Sequence, residues 1–423
     1  MKTLKYTFIL FIIINIASHY FLKNKLAENS YTKESISYKI KNLKVTYPDF
    51  SEEDIKQLIA EDYGSRINYY VPLTETRPAV IEGKYVNYTK EGYRVIKNQK
   101  KYNKDNFNIF VFGGSTTFGT SVRDHETIAS NINEILETNY KCNKEVAVYN
   151  YGTPGHFSSQ ETIRFQQLIS KDRIANISIF IDGLNDFFRY DGTTFNSHAI
   201  KEQMQKLNER SIPYNYRNNF GDKFTQRIFQ SPGELVEKFN FMSEYEYGEL
   251  RASLINFLKN LPIYKLAEYK NGSFFKSRDV TSFQKTEFSK KKEEKSYNVM
   301  KRLINNHTNI KLIADHHNMK TLFVLQPVQI YNNNLKHSVW LPDYENNKSV
   351  YLEFVKYGYI YLKNNNFSRN YNHKNFLDLT DIQKNENRNL YVDPSHYDPY
   401  FSNKIAQNIV KKIIDSNFIG CEK

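Results

Sequence analysis

The sequence predicts an α/β fold: a three-layer sandwich in which a parallel five-stranded sheet lies between helices on both faces. Two observations lead to this prediction. From residue 106 onward, short apolar runs of strand length alternate with longer segments that carry apolar residues at helical spacing. The apolar runs are continuous rather than alternating, which is typical of strands buried on both faces. Ligands of such sheets bind at the carboxyl ends of the strands.

The predicted elements follow one another in order along the chain. Gly113-Gly114 ends the first strand and Asn150-Tyr151-Gly152 ends the second, as expected where a buried strand ends in a turn. The strands are predicted at residues 107–112, 146–149, 177–181, 321–325 and 376–379. The helices are predicted near residues 128–136, 158–170, 297–318, 351–362 and 400–414.

Two further segments accompany this α/β domain, which is expected to span residues 105–420. Residues 23–104 form a predicted N-terminal extension, polar and rich in tyrosine, with a helix over Ser51–Ala60 capped by Ser51. We expect this extension to be an appendage outside the chemical core. Residues 196–296 interrupt the alternation after the third strand and predict a mainly helical insertion.

Residues 1–22 predict export from the cytoplasm. Two lysines precede the apolar run 6–17, and a basic start followed by a short apolar stretch is typical of an export signal. Ile16 and Ser18 make a poor cleavage site, so we expect an uncleaved membrane anchor that faces the periplasm or the cell exterior. The alternative is a cleaved signal and a secreted protein.

The composition excludes several classes of protein. Of the 423 residues, 40% are apolar and 25% are charged, so the chain can bury a core and is not disordered throughout. Its two cysteines, Cys142 and Cys421, exclude a disulfide scaffold and a zinc site built from several cysteines. The net charge of +13 suits an anionic glycan or a membrane surface. Nucleic acid is not an expected partner, because the basic residues are scattered without a stripe.

The first polar cluster, Gly113–Gly119, follows the first strand of the domain. It places Ser115 between a strand and a helix, where a nucleophile gains exposure and nearby backbone N–H groups. A phosphate-binding loop with this glycine spacing would need a lysine where Thr120 stands. The nucleophile elbow of the large α/β-hydrolases would need a glycine where Thr117 stands.

Two more polar clusters follow the next two strands. Residues 150–156 contain Gly152 and Gly155, and residues 182–186 contain Asn185. Glycine lets a backbone N–H approach a substrate closely, and the asparagine amide is a further donor. Since these clusters lie at the same predicted sheet edge as the serine, they offer the donors that a developing oxyanion needs.

A fourth cluster, Asp393-Pro394-Ser395-His396, precedes the last helix. A carboxylate three residues ahead of a histidine can reach its Nδ1 across a turn. That contact fixes the tautomer and leaves Nε2 free as a general base toward a serine. Asp378 and Asp381, at the last strand, are alternative acids without a neighbouring histidine.

The chain order Ser, Gly, Asn and then Asp-x-x-His resembles the SGNH hydrolase family, also called the GDSL family of esterases and lipases. The resemblance covers residues 105–195 and 297–418 and implies the flavodoxin-like fold of that family. It also implies a nucleophile, a base with its orienting acid, and three oxyanion donors. These are, in order, Ser115, His396 with Asp393, and the Ser115 N–H, the Gly155 N–H and the Asn185 amide.

Two positions bear on this resemblance. Gly114 stands where the family name has the aspartate of Gly-Asp-Ser, although many similar relatives carry Gly-Gly-Ser. Gly152 is an alternative to Gly155 as the oxyanion glycine. The distance from Asn150 and the serines at 158 and 159 favour Gly155.

The resemblance implies attack by the serine on an ester carbonyl, followed by release of the acyl group to water, with no metal or other cofactor. Together with export, this predicts an esterase acting on an acylated small molecule or glycan. The expected substrate is an O-acyl group, such as acetyl, on cell-envelope or extracellular polysaccharide. The alternatives are an O-acyltransferase with the same triad and a non-catalytic surface protein that binds glycan.

Overall fold

The structure, a computed structural model, describes residues 11, 14–16, 39–64, 68–71, 74–188, 291–339 and 350–422. The chain divides into two compact units, and the larger one comprises residues 38–202 and 284–423. Most of the predicted anchor and of the predicted insertion lies outside the described residues. Among the helices of the described ranges, none has the length and apolarity that crossing a bilayer requires.

A five-stranded parallel sheet forms the centre of the larger unit. The strands within the described residues are β1 (Asn68–Val71), β2 (Glu75–Pro78), β3 (Ile81–Glu82), β4 (Asn87–Tyr88), β5 (Phe107–Gly113), β6 (Lys141–Cys142), β7 (Val146–Asn150), β8 (Ile177–Asp182), β9 (Lys320–Leu325), β10 (Phe376–Asp378) and β11 (Cys421–Glu422). The parallel sheet has the order β10–β9–β8–β5–β7. Its strands are those predicted from the sequence, with each end within one residue, so the predicted fold class is confirmed.

Helices cover both faces of this sheet. The helices whose bounds lie within the described residues are α1 (Glu52–Gly64), α2 (Ser115–Phe118), α3 (Ile128–Asn139), α4 (Ser158–Ile169), α5 (Leu184–Phe188), α6 (Lys292–His316), α7 (Val350–Asn364) and α8 (Pro399–Asp415). Residues 39–46 are helical as well. Helices α4, α6 and α7 pack on one face, and α3 and α8 pack on the other. Helix α6 begins inside the last residues of the predicted insertion, earlier than the sequence indicates.

The two faces of the sheet carry different side chains. Phe110 and Phe112 of β5 point toward α4, α6 and α7, whereas Ile109 and Val111 point toward α3 and α8. Phe112 stacks on Phe180 of β8, with ring centroids 4.7 Å apart. A slip of one residue would exchange the aromatic and aliphatic faces, so packing on both faces fixes the register of the strands.

Residues 39–104 of the N-terminal extension belong to the larger unit, whereas the composition of the extension predicts an appendage outside the core. Its apolar residues Leu43, Ile55 and Val86 form one buried cluster with Phe118 and Val392. Phe118 lies in α2, just after the interior strand β5, and Val392 precedes α8. The extension therefore packs against the carboxyl edge of the sheet.

A buried arginine of the extension holds the loop that follows α2. The Arg94 side chain is fully buried, and its guanidinium donates to the carbonyl oxygens of Phe118 at 2.9 Å and Val122 at 2.6 Å. It also pairs with the Asp124 carboxylate at 3.0 Å. The Arg94 N–H donates to Asn150 O at 2.9 Å, which extends the sheet beyond β7. One side chain thus satisfies several carbonyl groups that burial would otherwise leave unpaired.

A disulfide bond joins Cys142 to Cys421, 279 positions apart. The two residues lie in β6 and β11, which pair with each other in an antiparallel ladder. The bond ties the segment beyond α8 to the segment after α3. The sequence did not predict it, because two isolated cysteines carry no spacing pattern that indicates pairing.

We expect the double substitution Cys142→Ser/Cys421→Ser to lower the free energy of unfolding by about 2 to 4 kcal/mol, because the bond restricts the unfolded chain. Equilibrium denaturation without reductant measures this difference. In excess reductant the wild type and the variant should unfold together, which is the control. A variant as stable as the oxidised wild type would contradict the expectation.

Candidate active site

Ser115 lies at the carboxyl edge of the sheet, directly after β5, an interior strand between β8 and β7. Only Gly114 separates β5 from α2, and Ser115 is the first residue of that short helix. A Cβ at Gly114 would collide with Nδ2 of Asn185, so glycine is what lets this amide approach the main chain beside Ser115. Ser115 is half-buried.

Asp393 and His396 belong to a tight turn just before α8. The Val392 N–H donates to His396 O at 2.9 Å and closes the turn. Asp393 Oδ1 accepts hydrogen bonds from the N–H groups of Ser395 and His396, each at 2.9 Å. The carboxylate is therefore folded back over its own turn, in position to meet the imidazole ring.

A chain of hydrogen bonds links Asp393, His396 and Ser115. His396 Nδ1 lies 2.6 Å from Asp393 Oδ2, and His396 Nε2 lies 2.7 Å from Ser115 Oγ. The fold thus brings together a serine and a histidine that are 281 positions apart. Because a carboxylate can only accept, Nδ1 carries the proton and Nε2 accepts from the serine hydroxyl.

The Asp393 carboxyl is held in its ionised form. Burial by itself would raise its pKa, but the charge and hydrogen bond of His396 outweigh burial and, with Lys39 and the Ser395 N–H, lower the pKa well below its ordinary value. Lys39 belongs to the N-terminal extension and also pairs with Asp62 at 3.5 Å. The extension therefore contributes to the electrostatics of the site.

The predicted oxyanion donors are the Ser115 N–H, the Gly155 N–H and the Asn185 amide. Asn185, the second residue of α5, donates through Nδ2 to His156 O at 2.6 Å. Gly155 precedes that histidine and has a left-handed φ of 84°. Neither the Ser115 N–H nor the Gly155 N–H donates a hydrogen bond to any residue that the structure describes. Both are therefore available to a ligand.

Gly152, the alternative oxyanion glycine, has a different environment. Its N–H donates to Asn150 Oδ1 at 3.0 Å, so this donor is already used. A Cβ at Gly152 would collide with the main chain of α2 at Phe118. The glycine at this position therefore allows close packing between the loop and α2.

The alternative acids and a metal site find no support in the described residues. Asp378 and Asp381 both pair with Lys363, at 2.8 Å and 3.5 Å. Within the described ranges, no group of three or more histidine, cysteine or acidic residues is arranged to hold a metal ion.

Gln326 is a residue at this site that the sequence did not single out. Its Oε1 accepts from the Thr116 hydroxyl at 3.5 Å, and its Nε2 donates to the Tyr397 hydroxyl at 3.1 Å. Tyr397 in turn donates to Pro327 O at 2.7 Å. Gln326 thus ties together the residues adjacent to the candidate nucleophile and base. The sequence feature that could have identified it is its position, since it is a polar residue immediately after the apolar strand β9.

Three carboxyl groups are buried together behind α5, where Asn185 lies. Glu161, Asp182 and Asp186 are 2%, 3% and 0% exposed. Burial, followed by the charges of the two aspartates, raises the pKa of Glu161 well above its ordinary value. Burial and the charge of Asp182 raise the pKa of Asp186 to about 6.

Polar groups from α4 and α6 partly balance these carboxylates. Ser158 donates to Asp186 Oδ1 at 2.6 Å, and Arg302 donates to the main-chain oxygen of Asp186 at 2.8 Å. His307 Nε2 lies 2.8 Å from Asp182 Oδ2. Helix α5 is therefore fixed by hydrogen bonds on the side facing the core.

The arrangement has the parts that activate a hydroxyl group. An imidazole oriented by a carboxylate can take the proton of a serine hydroxyl as its oxygen attacks an electrophile. Nearby N–H donors can stabilise the negative charge that then develops on the electrophile. The fold and the site together define an α/β protein with a Ser-His-Asp constellation at the carboxyl edge of a parallel sheet.

Comparison with known proteins adds little to this description. No protein-family model matches the sequence, and no curated protein matches it. Among solved structures, the chain is similar to a Bacteroides fragilis protein described as a "putative acylhydrolase". The identity is 11%, the match covers 75% of this chain and 92% of that chain, and the TM-score is 0.30. A similarity this low carries no argument about function.

The buried Asp186 should make stability depend on pH in a defined direction. Its pKa of about 6 in the folded state lies above the ordinary value of about 3.9, so ionisation costs stability as the pH rises from about 4 to about 6. We expect the free energy of unfolding of the wild type, relative to that of Asp186→Asn, to fall over this range and to level off above it.

Urea denaturation of both proteins at several pH values and one ionic strength measures this difference, because contributions shared by the two proteins cancel. If the free energy of unfolding of the wild type, relative to that of Asp186→Asn, rises between pH 4 and 6, the pKa of Asp186 is not raised in the folded state.

Proposed function

We propose that this protein is a serine-dependent ester hydrolase of the SGNH type. The observation that carries the proposal is the contact of 2.7 Å between Ser115 Oγ and His396 Nε2, with Asp393 on the other ring nitrogen. The order of the motifs along the chain supports the same assignment. The fold supports it as well, since these groups meet at the strand ends where ligands of such sheets bind.

In the proposed reaction, Ser115 Oγ forms a bond to the ester carbonyl carbon while His396 Nε2 takes the hydroxyl proton. The tetrahedral intermediate collapses as its C–O bond to the alcohol breaks, and His396 returns the proton to the departing alcohol oxygen. Water then attacks the acyl-serine while His396 takes its proton. The bond between the acyl carbon and Ser115 Oγ breaks, His396 returns the proton to Oγ, and the acid leaves. Asp393 holds the ring and stabilises its protonated form.

The Ser115 N–H, the Gly155 N–H and the Asn185 amide are the proposed donors to the oxyanion. The unpaired state of both N–H groups within the described residues supports this role. One Asn185 N–H is held by the carbonyl of His156, which leaves its second N–H for the substrate.

The proposed substrates are O-acyl groups, such as acetyl, on cell-envelope or extracellular polysaccharide. The apolar run with its basic start supports export. We propose that residues 1–22 anchor the protein in the membrane. The disulfide between Cys142 and Cys421 also supports export, because such bonds persist in oxidising compartments.

Replacing the nucleophile tests the reaction directly. We expect Ser115→Ala to abolish both acetate release from p-nitrophenyl acetate and labelling by a fluorophosphonate probe, because both require the serine oxygen. Ser368→Ala, at an exposed serine, is the matched control and should keep both. Equal acetate release by Ser115→Ala and the wild type would refute the proposed function. Supplying a glycan acceptor and analysing it for new esters separates hydrolysis from acyl transfer.

Removing one oxyanion donor should slow the reaction without removing the nucleophile. We expect Asn185→Ala to lower kcat by about 100- to 1,000-fold with a smaller effect on KM, because the amide bonds the developing charge rather than the neutral ester. Steady-state kinetics measures this, and thermal unfolding checks that the variant is folded. A kcat close to that of the wild type would exclude the Asn185 amide as a donor.

A further inference from the structure

A cavity of about 440 Å³ lies beside the loop that carries Gly155. Its walls come from the N-terminal extension, from this loop and from helix α4 with the turn that follows it. Arg77 and Tyr88 of the extension line it, as does His156 of the loop. Arg164 of α4 and Lys171 of the following turn line it as well. This size is within the range of pockets that bind small ligands.

The walls of the cavity carry positive charge without a matching negative charge. Arg77, Arg164 and Lys171 line it, and no aspartate or glutamate is among the described residues that do so. None of the three cations forms an ion pair within the described part of the chain. Burial lowers the pKa of Arg164, and the charges of Arg77 and Arg173 lower it further. An anion in the cavity would relieve this repulsion.

The two arginines are held in place rather than extended into solvent. Both pack over Gly92, where a Cβ would collide with Arg164 Nη2 and lie 3.4 Å from Arg77 Cδ. Arg164 donates to the carbonyl oxygens of Glu91 and Gly92 at 3.1 Å and 3.2 Å. Arg77 Nε is buried and has no hydrogen-bond partner among the described residues. Arg77 Nη1 donates to Lys90 O at 3.5 Å, and no described residue accepts a hydrogen bond from Nη2. The guanidinium therefore keeps donor capacity for a charge-assisted hydrogen bond to an oxyanion.

The cavity shares a loop with the candidate active site. Thr153 and His156 line the cavity, and Gly155 lies between them in sequence. The carbonyl of His156 accepts the Asn185 amide hydrogen bond. A ligand bound in the cavity therefore contacts the loop that carries one proposed oxyanion donor and supports another.

We propose that this cavity binds an anionic group of the substrate, a carboxylate or phosphate carried by the acylated polysaccharide. The inference rests on the proposed function and narrows it to esters of anionic glycans. Arg77 and Lys171 hold the charged group, and Arg164 supplies fixed positive charge. The sugar bearing that group is held at the cavity while a neighbouring acyl ester reaches Ser115.

The binding arm of the test does not depend on catalysis. Ser115→Ala protein is titrated by calorimetry at low salt with polygalacturonate, with inorganic polyphosphate and with neutral dextran. The same titrations are repeated with Ser115→Ala protein that also carries Arg77→Gln and Lys171→Gln, which we call the cavity pair. Lys144→Gln/Lys411→Gln, which removes two exposed charges elsewhere, is the matched control for net charge.

We expect at least one anionic polymer to bind, and the cavity pair to weaken that binding about tenfold or more, because charge-assisted hydrogen bonds are lost. The control pair should bind like the parent protein. Polygalacturonate and polyphosphate distinguish a carboxylate from a phosphate ligand. Binding of neither anionic polymer would overturn the inference, and so would equal weakening by the cavity and control pairs.

The catalytic arm separates failure of this inference from failure of the proposed function. The ratio of kcat/KM on O-acetylated polygalacturonate to that on O-acetylated dextran should fall about tenfold in the cavity pair and stay unchanged in the control pair. A wild type that releases acetate from both polymers with equal kcat/KM refutes the anion site and leaves the hydrolase intact. A wild type that releases no acetate from any ester refutes the hydrolase, and the binding arm still tests the cavity.

Discussion

The hydrogen bond between Ser115 and His396 is the constraint on which the candidate site depends. It joins two residues that are 281 positions apart, and a different part of the structure holds each of them in place. The serine is fixed because it follows β5, an interior strand that pairs with β8 on one side and β7 on the other. The histidine is fixed by its short turn, where Asp393 accepts from the backbone and the ring together. Gln326 links the serine helix to the histidine turn, because it bonds to Thr116 and to Tyr397, which are adjacent to these residues. A shift of either segment would therefore break polar contacts.

Much of the polar structure near this contact is buried, which is costly unless every group is paired. Arg94 illustrates the favourable case, since its guanidinium meets a carboxylate and several carbonyl oxygens of the loop after α2. The acidic cluster of Glu161, Asp182 and Asp186 illustrates the unfavourable one, because burial favours protonated carboxyl groups there. Both sets lie beside segments that carry functional candidates. We infer that these buried polar groups lower the free energy of unfolding and, in return, hold α2 and α5 in fixed positions.

The fold and the residues of the contact between Ser115, His396 and Asp393 could be predicted from the sequence because both depend on local patterns. The oxyanion donors stay a prediction. Continuous apolar runs mark the buried strands, and polar clusters just after them mark the sheet edge. The disulfide, Arg94 and Gln326 could not be predicted in this way. Their partners are distant in sequence, and an isolated arginine, glutamine or cysteine carries no periodicity. The packing of the N-terminal extension could not be predicted for the same reason: its apolar residues share one buried cluster with Phe118 and Val392, and Val392 is about 300 positions away in sequence.

The loop over residues 151–157 connects recognition with the proposed chemistry. On one side it carries the Gly155 N–H and the carbonyl that holds Asn185, and on the other it lines the cationic cavity. Binding energy from a remote charged group raises kcat only if it improves interactions with the transition state. A group bound against this loop meets that condition when it restricts the motion of the proposed oxyanion donors. Under the proposed function, a neutral ester would lack this restriction, so selectivity for anionic substrates would appear in kcat as well as in KM.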